Sequence, residues 1–535
     1  MHDSPLADAD PVRRYQGELF RSDRTIRSGI PAYLSHAAAL RGNAPYLTAV
    51  AEDGGTTTLT YRELDEYSRR TAHWLRTECA VPPGAAVGLL PINDAESVVG
   101  LFALLRAGNP ALVLNPADPT ARLTEQTGAL DIDIVLRGPR VPEDGLTSSI
   151  RLPDPRRLPT PPPGSVETPA DPACDALYFG TSGSTAASKL VAQTHANAVA
   201  NAEAVRRHHG LGSGDRILGC LPIHHVNGVH FTLIATLVAG AHAVLAERFS
   251  PFGYPALLTT YRPRVASVVP SLLDALTETW RHRELPGNFG YFVSAAAPLS
   301  TTTARAVHDR IGARVIQGYG LTETTNFSVT MPTDLSDEAY RHLVLDADIP
   351  SVGIAVHGNE VAVLTPDGSL AEPGATGEIC MRGHNVMSRY ANNEASTAKA
   401  FRGGWFHSQD LGHQTVDDES GRTVFVLTGR TKNVAKVRGE TVSLEEMERV
   451  LRAHPGLRDA ACAAVPQPLL GEAVSAAVVA PAAELTDSEL RAYLRRHFAE
   501  CVLPTRIVRV DTVPRTATGK ILRPALQDLL APPAP

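Results

Sequence analysis

The stretch ALYFGTSGSTAASKLVAQTH, residues 176–195, decides how this chain is read. An apolar run from Ala176 to Phe179 has the character of a strand. It leads straight into Gly180-Thr181-Ser182-Gly183-Ser184-Thr185. A loop of that composition offers exposed backbone N–H groups and four hydroxyls, and its glycines let a ligand approach the main chain. Those are the features that cradle a polyphosphate. Lys189 follows as a positive charge. The loop is not a Walker A sequence, which needs Gly immediately before its Lys. A solvent-exposed Ser/Gly turn is the competing reading, since short polar loops are common.

Outward from this loop the text alternates helix and strand. In LTYRELDEYSRRTAHWLR, Thr60 and Glu63 form a capping box, and Leu64, Tyr67, Thr71 and Leu75 fall on one helical face. AAVGLLPIN reads as a buried strand ended by Pro91. DAESVVGLFALLRAG reads as a helix closed by Gly108, and PALVLNP as the next strand. The rhythm recurs around 215–245 and 263–317 and implies a parallel sheet with helices on its faces. The proline-dense segment 151–173 interrupts it as a loop or linker. After Gly429-Arg430 the pattern changes to a short unit of about a hundred residues. It holds a helix capped by Ser443 with Glu446, and strand-like stretches at 459–465 and 473–480.

With 535 residues the chain is too long for one ordinary core. Its net charge of −7, with no basic block, offers no footprint for nucleic acid. The polar N-terminus lacks the apolar core of a signal peptide. The longest apolar stretches, such as 234–246, are too short to span a bilayer. The six cysteines are dispersed without a C-x-x-C pair, so neither a disulfide framework nor a zinc site is indicated, and a reduced, cytoplasmic setting is the default.

Three further stretches carry chemistry. In VIQGYGLTETTNFS (315–328), a strand leads into Gly318-Tyr319-Gly320, where Tyr319 offers a face for a flat base and Glu323 a hard oxygen ligand for Mg²⁺. A glycine turn with Thr322 as a helix cap explains the same residues. In 404–412 and 426–448, Asp410 and Arg430 are an acceptor and donor for sugar hydroxyls, or equally a structural ion pair. LPIHHVNG (221–228) reads as a proline-ended strand with paired histidines, which are more often structural than catalytic. The last stretch is PRTATGKILR (514–523). Of 50 Lys plus Arg, only five are lysine: Lys189, Lys399, Lys432, Lys436 and Lys520. In so Arg-biased a chain a surviving lysine is a candidate for a role that a rigid guanidinium cannot fill.

Taken together and in order, these stretches resemble the adenylate-forming superfamily, in its acyl- and aryl-CoA ligase branch. The resemblance runs from about Tyr61 to Pro524. TSGSTAASK resembles the phosphate loop, SAAAPLS (294–300) and QGYGLTET the adenine-binding strands, and GEICMRG (377–383) the small β-barrel segment. WFHSQDLG resembles the Trp-x-x-Thr-Gly-Asp stretch, GRTKNVAKVRGETVSLEEME the hinge, and PRTATGKILR the final motif. Four of the five lysines fall within these motifs; Lys399 does not.

The resemblance implies a large N-terminal domain, residues 1–431, of doubly wound α/β subdomains plus a small β-barrel. A small mobile α+β domain, 432–535, follows. It implies two half-reactions: a carboxylate attacks the α-phosphorus of ATP, releasing pyrophosphate, and a thiol then takes the acyl group. Thr181, Ser182, Gly183, Ser184 and Thr185 would hold the β- and γ-phosphates with Lys189. Thr322 would touch the α-phosphate and Glu323 would hold Mg²⁺. Ala296 and Tyr319 would sandwich adenine, with Gln317 and Gly320 beside it. Asp410 and Arg430 would bind the ribose hydroxyls, with Lys436 nearby. Lys520 would bridge carboxylate and phosphate oxygens. Lys432 would be the hinge. His225, Asn227, Ala295 and Gly318 would line the acyl pocket, His225 at its mouth.

Three motifs depart from the family pattern. Ala186 and Ser188 stand where the loop usually has Gly and Pro, Gln409 where Gly precedes the Asp, and Ala295 where SGAAP has Gly. Asn227 suggests a polar or short aromatic acid. CoA is the first-choice acceptor, because no carrier domain follows LAPPAP. A separate carrier protein, an amine, or nitrite activation for diazotising an aryl amine are alternatives, as is a nucleotide-binding sensor without activity. Monomer and homodimer are both open.

Overall fold

The structure is a computed structural model. It describes residues 11–19, 29–143, 145–146, 148–166, 171–181, 189–281, 284–431, 433–437, 440–467, 471–480, 485–516 and 520–531. Expectations placed on Ser182, Gly183, Ser184, Thr185, Ala186, Ser188 and Lys432, and on the Lys436 side chain, fall outside the described residues.

Two large sheets form the body. In the nine-stranded one, five neighbouring pairs are parallel: Arg314–Tyr319 with Tyr291–Ser294, then Val265–Val268, Arg216–Gly219, His242–Ala246 and Pro45–Val50. Short antiparallel strands close both of its edges. The seven-stranded sheet runs Arg389–Tyr390, Leu190–Thr194, Asp175–Gly180, Ala111–Val113, Val87–Leu90, Val135–Arg137, Ser149–Arg151. Its first two pairings are antiparallel and the rest parallel. Helices between the sheets supply one continuous apolar core. This is the doubly wound α/β architecture expected from the strand–helix alternation.

The local signals hold. Helix Tyr61–Thr77 starts at Thr60 with the full capping box, burying Leu64, Thr71 and Leu75. Helix Ala95–Ala107 ends at Gly108 in the left-handed region, φ 73°. The strand expected to end at Pro222 stops earlier, at Gly219. Residues 221–226 form a turn that feeds the wide helix Asn227–Ile234. The segment expected as a small barrel is a four-stranded antiparallel sheet, Asn359–Leu364, Gly377–Gly383, Phe406–Val416 and Thr423–Arg430, around its own core. A five-stranded sheet and two further cores belong to the C-terminal unit. There, helix Leu444–Arg452 is capped by Ser443, which accepts from the Glu446 N–H. No helix among the described residues is long and apolar enough to cross a membrane.

One buried charge ties the first three helices. Asp65 accepts from Ser35 Oγ at 2.9 Å and Arg69 Nε at 2.9 Å, and pairs with the buried Arg106. Arg106 also donates to Ser68 Oγ at 3.1 Å and Ser35 Oγ at 3.2 Å. Burial alone would raise the Asp65 carboxyl, but the arginines outweigh it and hold it below its usual range. Removing one member of such a network leaves the other charge unpaired, at a cost of about 3–5 kcal/mol. Asp65→Asn is expected to lower the urea midpoint at pH 7. The wild type's advantage is full above the unfolded carboxylate pKa, about 4, and disappears as pH falls through the lower folded value. Denaturation curves of both proteins from pH 7 to pH 3 check this.

Candidate active site

The chemistry-bearing loops leave the carboxyl ends of parallel strands, where open α/β sheets bind their ligands. Asp175–Gly180 ends at the phosphate-type loop, Tyr291–Ser294 at Ala295 and Ala296, and Arg314–Tyr319 at Gly320 and Thr322. The two sheets meet at Gln193. Its Nε2 donates to the Thr322 carbonyl at 2.8 Å, and its Oε1 lies 2.7 Å from His230 Nε2. Burial pushes His230 down to about 3, so the ring is neutral and Nε2 carries the donated proton. Gly320 is required by packing: a Cβ there would lie 1.7 Å from the Asn326 carbonyl oxygen.

Asp410 is the buried centre of the ribose-type motif. The register pairs Asp410 with Arg430 across adjacent strands. Arg430 Nε stands 2.6 Å from Asp410 Oδ1, and Tyr319 Oη donates to Oδ2 at 2.8 Å. Burial and the carboxylate together push the Tyr319 phenol far up, which keeps it a donor. The residue before Asp410 is Gln409, with φ 63°, in the region that favours glycine. Its peptide is clamped on both sides. Its N–H donates to Glu378 Oε1 at 2.9 Å, and its carbonyl accepts from the Thr431 N–H at 2.9 Å and Thr431 Oγ1 at 3.1 Å. Glu378 is itself held by His407 Nδ1 at 2.8 Å.

Glu323 lies on the short turn Thr322–Thr324. Tyr390 Oη donates to its Oε1 at 2.8 Å, and its carbonyl accepts from the Met387 N–H at 2.7 Å. Lys189 Nζ sits 4.6 Å from the centre of the Tyr390 ring, and the Thr181 N–H donates to the Lys189 carbonyl at 2.9 Å, closing the neck of the loop.

Lys520 comes from the C-terminal unit. Thr516 N–H donates to the Lys520 carbonyl at 2.8 Å, and the Lys520 N–H to Thr516 Oγ1 at 3.1 Å. Burial and Arg430 lower its ammonium below the usual lysine value, opposed by the carboxylates of Asp410 and Glu323. His225 has surface open to solvent yet is crowded by protein. That crowding and the Lys520 charge push it down to about 4. One electrostatic neighbourhood therefore contains Glu323, Asp410, Arg430, His225 and Lys520, drawn from four regions of the sequence.

Two residues after His225, Asn227 Oδ1 accepts from Ser267 Oγ at 2.9 Å, and the buried Asn227 Nδ2 has no hydrogen-bond partner among the described residues. Ala295 is buried, and the Phe327 ring fills the space over Gly318. Ala296 is exposed, with φ 69°, whereas Tyr319 packs into the core of the four-stranded sheet. Gln317 is buried beside Ser294 across the strand pair. Lys399 lies in the last turn of helix Glu394–Ala400, outside these motifs. Gln193, His230, Glu378 and Tyr390 had no assigned role from the sequence. Gln193 lies in the 176–195 stretch and Glu378 in 377–383; His230 and Tyr390 carried no local signal.

Comparison with known proteins gives the class. The AMP-binding enzyme family matches residues 34–391, and the AMP-binding enzyme C-terminal domain matches 446–520. A sulfoacetate–CoA ligase of Cupriavidus necator is 31% identical over 493 residues, covering 90% of this chain and 92% of that protein. A feruloyl-CoA synthase of an Amycolatopsis species is 30% identical, covering 90% and 95%. Among solved structures, o-succinylbenzoate CoA synthetase of Bacillus subtilis in complex with its acyl-adenylate superposes with a TM-score of 0.81 at 26% identity, covering 93% of this chain and 98% of that one. The chain belongs to the AMP-binding enzyme family and is an ATP-dependent, AMP-forming ligase.

A left-handed backbone costs a non-glycine residue about 1 kcal/mol or more. Gln409→Gly is expected to keep activity and to raise stability by up to about 1 kcal/mol, less what glycine adds to the unfolded chain's freedom. Urea midpoints of the two proteins check this; a less stable glycine variant would contradict strain at Gln409.

Proposed function

We propose that this ligase adenylates a short or aryl carboxylic acid and then passes the acyl group to the thiol of coenzyme A. In the first step a carboxylate oxygen attacks the α-phosphorus and the bond to pyrophosphate breaks. In the second, the thiolate sulfur attacks the acyl carbon and AMP leaves. Two anions must be pushed together in the first step, so the protein's work is positioning and neutralisation.

Asp410 and Arg430 bind the ribose hydroxyls, and the buried Tyr319 hydroxyl fixes the carboxylate that does so. Thr181, Ser182, Gly183, Ser184, Thr185 and Lys189 hold the outer phosphates. Thr322 meets the α-phosphate from a turn supported by Gln193. Glu323 suits Mg²⁺: Tyr390 occupies one carboxylate oxygen, and the other accepts no hydrogen bond from a described residue. A bound Mg²⁺ would neutralise phosphate charge there. Asn227, with an amide nitrogen that has no acceptor among the described residues, favours an acid bearing a polar group. Six cysteines dispersed along the sequence without a C-x-x-C pair support a reducing compartment.

The observation that carries this reading is Lys520, a C-terminal residue whose charge acts on His225 and is itself acted on by Glu323, Asp410 and Arg430. We read this as the adenylating arrangement, with residues 432–535 moving as a unit about Lys432 to withdraw Lys520 and open a thiol path. Lys520→Ala is expected to slow adenylate formation by about 100-fold or more while leaving thiolysis of a supplied acyl-adenylate within a few-fold. Equal loss of both half-reactions, followed by single-turnover assays, would overturn the assignment.

A further inference from the structure

Tyr390 stands between two groups that belong to different parts of the nucleotide site. Its hydroxyl donates to Glu323 Oε1 at 2.8 Å, and the Lys189 ammonium lies 4.6 Å from the centre of its ring. The side chain is buried, with 6% of its surface exposed, so both contacts are made in low dielectric, where they are strongest. Its backbone has little freedom. Tyr390 pairs with Val191 on the strand that leaves the phosphate-type loop, and its N–H donates to Thr397 Oγ1 at 3.0 Å. The neighbouring N–H groups of Ser388 and Ala391 donate to the carbonyls of Ala192, at 2.9 Å, and Leu190, at 2.7 Å. Arg389 adds a two-pronged pair with Asp175, at 3.0 and 2.6 Å. The ring is thus fixed to the two strands that carry the loop.

We propose that Tyr390 is a positioning residue that couples the phosphate-loop lysine to the metal-holding carboxylate. The hydroxyl pins one Glu323 oxygen, so the carboxylate presents its other oxygen in one orientation. The ring face holds the Lys189 ammonium beside the phosphate position. A change at either end is felt at the other through one rigid ring. This rests on the reading that Glu323 holds the divalent cation.

The two contacts separate by mutation. Tyr390→Phe keeps the ring and removes the hydroxyl; Tyr390→Leu removes both. The probe is Mn²⁺, titrated into the full-length protein with α,β-methylene-ATP, free Mn²⁺ being read by electron paramagnetic resonance. Loss of a hydrogen bond to a charged carboxylate predicts about tenfold weaker Mn²⁺ binding in Tyr390→Phe. Metal-free binding of the nucleotide is expected to be unchanged in Tyr390→Phe and weaker in Tyr390→Leu. In steady state, Tyr390→Phe is expected to raise the Mg²⁺ concentration for half-maximal rate, with kcat restored at saturating Mg²⁺. Glu323→Gln separates the possible failures. Weaker Mn²⁺ binding in Glu323→Gln with none in Tyr390→Phe overturns the Tyr390 role alone. No weakening in either overturns the Glu323 reading and this inference with it. A kcat defect in Tyr390→Phe that high Mg²⁺ does not restore would mark a merely structural tyrosine.

Discussion

The candidate site depends on one buried carboxylate. Asp410 is almost sealed from solvent, and it is held by Tyr319 from the nine-stranded sheet and Arg430 from the neighbouring strand. Burying an ionised carboxylate is costly unless it is paired and hydrogen-bonded, and here both needs are met by residues of adjoining elements. The same strand then passes into Thr431, whose N–H and hydroxyl grip the Gln409 carbonyl. The node that would hold the sugar is thus continuous with the segment on which the C-terminal unit is carried. Satisfying one charge fixes the register of two strands and the exit direction of the chain.

Around that node the charges balance across a domain boundary. Lys520 enters a site that already contains Arg430, and two cations in one cleft repel. The carboxylates of Asp410 and Glu323 offset this, and Lys520 is left with a lowered affinity for its proton rather than expelled. His225 is held neutral at the same cleft. A lysine there depends on its carboxylate company, which would suit the proposed role of a residue needed in one half-reaction and withdrawn for the other. A compact ammonium on a flexible stem would fit that proposed duty better than a planar guanidinium, and the proposal would account for a lysine persisting in an arginine-rich chain.

The fold was largely legible in the sequence because its determinants are local. Thr60 with Glu63, Gly108 after a helix and Ser443 with Glu446 each act within one turn, and each does in the structure what its spacing predicts. The motif stretches at the strand ends could be located in the sequence for the same reason. What was not legible is what depends on distant partners. Nothing around Tyr390 announces that its hydroxyl meets Glu323, 67 positions away. Gln193 and His230 look like ordinary core and helix residues until the two sheets are brought together. Gln409 looked like a departure from a glycine pattern; its backbone keeps the glycine conformation because Glu378 and Thr431 clamp it. The strand expected to reach Pro222 ends at Gly219, where Thr232 packs too closely for any Cβ.

The most direct test of the account is Mg²⁺-dependent exchange of labelled pyrophosphate into ATP across a panel of cinnamates, benzoates, short polar acids, fatty acids and amino acids, with nitrite as an added member. The account predicts strong exchange with one class of short or aryl carboxylic acid, without any thiol present. Measurable ATP binding with no exchange for any member of the panel would contradict it.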